Sequence, residues 1–109
     1  MLVNILDGNG AAQKVILKGQ EAPIDHSGAI SVTGVAQQML AANVLRSGWV
    51  MQNLGANPMR VNDLGTATVG AGSFQVAVGA FFPPEGYPVS TGAVSILGTA
   101  TDVYSVREW

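Results

Sequence analysis

The chain has no cysteine, a single histidine and few charges, and each shortage closes off a class of function. Without cysteine there are no disulfides, no thiolate zinc sites and no thiol nucleophile, so stability has to come from packing. With His26 alone, an imidazole-based mechanism has one place to reside, and a zinc site lacks a second nitrogen or sulfur ligand to join it. Charged residues make up 11% of the 109 residues, under half of the roughly 25% usual in a soluble globular domain. Five basic and seven acidic residues leave a formal net charge of −2. That balance offers no basic field to neutralise phosphates, so direct nucleic-acid binding is not expected. No stretch reaches the roughly 18 uninterrupted apolar residues that span a bilayer. The opening MLVNILDGNG has no basic n-region, and Asn4 and Asp7 interrupt it early, so it is not read as a signal peptide.

What the chain does have is apolar surface: 48% of its residues are hydrophobic and the mean hydropathy is +0.31. A monomer of this composition would be poorly solvated. Large exposed apolar patches mark interaction sites, so part of this surface is expected to be covered by other subunits. The length fits one domain with one core.

Fourteen glycines and five prolines punctuate short apolar runs, the pattern of an all-β sandwich or barrel. In SFQVAVG, Phe74, Val76 and Val78 fall on one face and Ser73, Gln75 and Ala77 on the other, a period of two that a helix would scramble. LVNIL (2–6) and QKVIL (13–17) flank DGNGAA, whose Asp-Gly and Asn-Gly pairs suit a hairpin turn. AISVT (29–33), RSGWVMQN (46–53), PMRVN (58–62), AVSIL (93–97) and DVYSVREW (102–109) read as further strands. In GVAQQMLAANVLR a short strand to about Leu40 is expected, then a helical turn or tight loop through 41–45, with a helix over 35–45 as the alternative. The expected fold is a small all-β sandwich, jelly-roll-like, of about eight strands. Residues 1–20 form a hairpin or arm and 21–109 the sandwich domain. TATVGAGS (66–73) and the proline loop FFPPEGYP (81–88) are the segments expected to project.

The stretch IDHSG carries Asp25, His26 and Ser27, the residue types of a serine hydrolase. A triad needs the serine at one imidazole nitrogen and the carboxylate at the other, which three consecutive residues do not provide. No Gly-x-Ser-x-Gly elbow accompanies them. The expectation is a turn, with Asp25 or Ser27 capping it before Gly28 and His26 exposed or bonded to a neighbour. Asp63, Glu85, Asp102 and Glu108 could in principle pair for glycoside cleavage, but nothing in their spacing selects two of them. GTATVGAG lacks the Lys-Ser/Thr anchor of a phosphate loop. No enzyme, cofactor or metal is expected.

Among the aromatics, Trp49 lies inside a strand and is expected in the core. Phe81, Phe82 and Tyr87 flank the proline loop and Trp109 is the last residue, so these are candidates for contacts with another subunit or a ligand.

The run from DHSGAISV through RSGWVMQN and RVNDLGTA, followed by AVSILG and the ending VREW, resembles small virion proteins of tailed bacteriophages. The residues that carry the resemblance are Asp25, Ser27, Gly28, Gln38, Leu40, Ala41, Ala42, Asn43, Arg46, Gly48, Gln52, Asn53, Val61, Asn62, Gly65, Thr66 and Ala67. It covers about residues 25–109 and leaves out the hairpin. What it implies is a β-sandwich or jelly-roll that decorates or cements a capsid, or sits on a head fibre, with no catalytic residues. The implied partner is the major capsid protein. A homo-oligomer, dimer or trimer, would be made in the host cytoplasm and end on the outer capsid surface, without membrane. The contact residues expected are Leu2, Val3, Ile5, Phe81, Phe82, Pro83, Pro84, Tyr87 and Trp109. The alternative is a carbohydrate-binding module of a head or tail fibre, whose distinguishing feature would be solvent-facing rings beside Asn, Asp or Gln. Asn43 and Arg46 are expected to be structural, the first in a tight turn and the second reaching carbonyls or a carboxylate of an adjacent strand.

Overall fold

A computed structural model describes residues 22–109 in full and, before them, the backbone of two strands. These two, β1 (Leu2–Leu6) and β2 (Ala12–Ile16), pair antiparallel from Leu2↔Ile16 to Leu6↔Ala12 as a sheet of their own. The second strand lies one residue earlier than its apolar run suggests. The side chains of Leu2, Val3 and Ile5, expected as contacts, lie outside the described residues, as does the DGNGA turn.

The remaining strands form two antiparallel sheets, with no helix among the described residues. One sheet has the order β5 (Gln37–Leu40), β10 (Val94–Leu97), β7 (Met59–Asn62), β8 (Phe74–Val76). The other centres on β11 (Val103–Glu108) and β6 (Trp49–Asn53). The short strands β3 (Ile24–Asp25) and β4 (Gly28–Ala29) both pair with β11, and β9 (Phe81–Phe82) pairs with β6.

Period-two patterning builds the core between these sheets. Trp49 and Met51 of β6 and Tyr104 and Val106 of β11 point inward from one side, against Met59, Val61, Val94 and Ile96 from the other. Each such side chain contributes about 1.5–3 kcal/mol by its burial. In β5 two consecutive residues, Met39 and Leu40, are both buried, which strict alternation forbids. The ladder resolves this with a register shift at Val94/Ser95, where Leu40 faces Val94 but Gln38 faces Ser95, so Met39 is the extra residue of a bulge.

Three expectations need correction. AISVT is paired only at its start. Beyond Ala29 the segment is held by Gln37, whose side chain accepts from Ser31 N and donates to Ala29 O, while Ile30 enters the core. The strand at 73–79 stops at Val76, because Gly79 turns the chain at φ +80°, and this leaves Val78 exposed. Phe81 and Phe82, read as part of a projecting loop, form a strand on β6. Residues 41–48 form a loop with a turn at 44–45, so the helical alternative for 35–45 is not adopted.

Candidate functional site

IDHSG is a turn. Asp25 Oδ1 accepts from both the amide and the hydroxyl of Ser27, and the hydroxyl oxygen in turn accepts from Val106 N at 3.1 Å. Those two bonds hold the Asp25 carboxyl below the usual carboxylate range. His26 points elsewhere, with Nε2 3.1 Å from Glu108 Oε1. Serine and histidine therefore face different partners, and the geometry of a triad is absent from this stretch.

The other face of Glu108 carries the main charged contact of the domain. Arg46 Nε donates to Glu108 Oε2 at 2.6 Å, and the Arg46 side chain is wholly buried. Its remaining donors reach three carbonyls: Nη1 to Ser90 O at 2.7 Å and Gly92 O at 2.9 Å, and Nη2 to Ala41 O at 2.7 Å. One guanidinium thus joins β11, the loop after β5 and the segment 83–93, which we call the strap. Asn43 sets up this reach, since its Oδ1 accepts from Leu45 N and its own amide donates to Thr91 O at 2.7 Å.

A second buried charge fastens the strap from its other end. Asp63, just past β7, accepts the Tyr87 hydroxyl at 3.0 Å and the Ser90 hydroxyl at 2.8 Å on Oδ2. Burial, with Asp63 as hydrogen-bond partner and neighbouring charge, raises the Tyr87 phenol above its usual value. The Tyr87 ring belongs to an aromatic chain from core to surface: Trp49 to Phe82 at 5.7 Å, Phe82 to Phe74 at 5.3 Å, and Phe82 to Tyr87 at 5.6 Å. Between the strap, β5 and the turn after β7 lies an open groove of about 1020 Å³, with Gln38, Asp63, Leu64 and Val89 on its walls.

The proposed contact residues divide accordingly. Phe81 is 64% exposed and Pro84 is exposed, but Phe82 is buried in the core and Tyr87 is half-buried against it, so these two are framework. Pro83 is half-buried. Trp109 is also half-buried: its ring lies on Gly48, where a Cβ would come within 2.5 Å of it, and its backbone pairs with Ser47 and Gly48. The most exposed apolar side chains are instead Leu64 (87%), Val44 (85%) and Val69 (73%), of which Val69 lies in the segment 66–73 expected to project and Val44 in the turn or loop expected at 41–45.

The four carboxylates raised as candidates for glycoside cleavage are engaged separately or exposed. Asp102 accepts from Asn57, Asp63 from the strap hydroxyls, Glu108 from Arg46, and Glu85 faces solvent. Among the described residues no group of three His, Asp or Glu is placed to hold a metal. The strap and its groove were missed by sequence reasoning. No family model, curated protein or solved structure matches the chain.

Proposed function

We propose that the chain is a structural virion protein that binds the outer surface of a tailed-phage capsid and cements its subunits. The observation that carries this reading is the set of large aliphatic side chains, led by Leu64, Val44 and Val69, held out to solvent on tied turns of a charge-poor domain. Covering such surface gains about 25 cal/mol per Å² of apolar area, and a partner that binds only the assembled shell stabilises it by mass action. The resemblance of residues 25–109 to small phage virion proteins supports the same reading. The partner is the major capsid protein. The chain acts as a homo-oligomer, without cofactor or catalytic step, made in the host cytoplasm and ending on the virion.

The hairpin β1–β2 supplies a mode of attachment. A two-stranded hairpin alone is marginal in water, and an arm rich in apolar residues adds naturally to a neighbour's sheet. Deleting residues 1–10 is expected to lower occupancy on purified particles, and unchanged occupancy would remove the arm from the mechanism. The reading as a whole is tested by mixing the protein with shells that lack it and sedimenting both. Co-sedimentation in a fixed ratio is expected, and a folded protein that stays in the supernatant contradicts it.

A further inference from the structure

The outer face of the five-stranded sheet is not a plain solvated surface. Because Phe82 points into the core, its neighbour Phe81 points outward from β9, which lies at the edge of the sheet. The register sets Gln52 beside Phe81 and Ser105 beside Gln52, so phenyl, amide and hydroxyl form one row across three strands. The next row holds Val50, Arg107 and Asp25. Phe81, Gln52, Ser105, Arg107 and Val50 surround a shallow depression of about 260 Å³.

We infer that this depression is a binding site for a neutral saccharide, with Phe81 as its stacking platform. A sugar ring has an apolar C–H face and a rim of hydroxyls that both donate and accept. The exposed Phe81 ring is the surface on which the first would pack. The Gln52 amide is held by Nε2, which donates to Gly79 O at 3.1 Å, and its Oε1 is an acceptor for a hydroxyl. Ser105 donates or accepts and the Arg107 guanidinium donates. Two strand spacings of about 4.8 Å separate Phe81 from Ser105, room for one ring on Phe81 and a second over Gln52 and Ser105. Asp25, beside Arg107 on the adjacent strand, cancels the cationic charge, which favours a neutral ligand over a phosphorylated or acidic one. The inference goes beyond capsid binding, because the depression and the strap groove share no lining residue.

The test is a titration of the full chain with neutral hexose and N-acetylhexosamine oligosaccharides, following the Gln52 side-chain amide and the Arg107 Nε–H by NMR. Saturable shifts of both are expected, weakened about tenfold or more by Phe81→Ala and retained by Phe81→Trp. Leu64→Ser, at the groove, is expected to leave them unchanged. The inference is overturned if no oligosaccharide shifts either group, or if Phe81→Ala binds as well as the parent. It is also overturned if an acidic oligosaccharide binds more tightly than the neutral ones. Conversion of an oligomer to a monomer by Phe81→Ala, without saccharide shifts, would assign the face to a subunit contact instead.

Discussion

Two segments of similar composition, the strap (83–93) and the loop 64–73, end up under different control. Both are rich in glycine and small polar residues, and parts of both were expected to project. The loop is held by short neutral bonds at the surface: Leu64 N to Asn62 Oδ1, Thr68 N to the Ser73 hydroxyl, and Gly70 N to the Thr68 hydroxyl. Only Ala67 within it is buried, its amide donating to the Ser95 hydroxyl. The strap is held from beneath by a buried arginine on two of its carbonyls and a buried aspartate on two of its hydroxyls. Hydrogen bonds to charged groups contribute about 1.5–3 kcal/mol each, against about 1 for neutral ones. A chain with so few charges places two of them where they fix one wall of the groove.

The largest effect is expected from breaking the strap. Arg46→Ala leaves Glu108 without its cation and three carbonyls without donors, and should cost about 3–5 kcal/mol, read as a lower urea midpoint. Arg46→Lys should recover only part, because an ammonium cannot reproduce the planar fork. Next comes Asp63→Ala, expected to cost about 1–3 kcal/mol by stranding the Tyr87 and Ser90 hydroxyls, with faster hydrogen exchange at 87–92 but not at 68–73. Acid should weaken the Arg46–Glu108 anchor. Burial pushes the Glu108 carboxyl up, but the Arg46 hydrogen bond and charge, with His26, outweigh it and hold the carboxyl below its ordinary 4.5. A folded-state value below the unfolded one means that this stability is fully present above pH 4.5 and is lost as pH falls below that through the folded value. A urea midpoint that is level above that pH and drops beneath it is expected, with the drop reduced in Glu108→Gln. Asp25, whose depressed carboxyl acts in the same direction, contributes to what remains. Smallest is Ser73→Ala in the loop, expected at about 0.5–1 kcal/mol or less; a loss equal to that of Asp63→Ala would erase the distinction between the two segments.

The sequence made the strands legible where alternation was strict, as in β6, β7, β10 and β11, because period two depends only on near neighbours. It misled where a side chain replaces a ladder partner, as Gln37 does for Ser31, or where a glycine ends a pattern early, as Gly79 does for Val78. Phe81–Phe82 read as loop because Pro83 and Pro84 follow, yet β9 ends before the first proline. Arg46 was legible as a residue that would seek carbonyls or a carboxylate. Its partner was not, because Glu108 lies 62 positions away and a single sequence carries no trace of such a pair. The same distance hides the groove, whose walls come from three separated stretches.

The central functional claim is that the exposed aliphatic turns are the surface by which the protein holds a shell. Hydroxyl-radical footprinting of the protein free and bound to shells tests this most directly. Protection concentrated at Val44, Leu45, Leu64, Val69 and Val89 is the expected result. Bound protein whose footprint leaves these side chains as reactive as in the free chain would contradict the account.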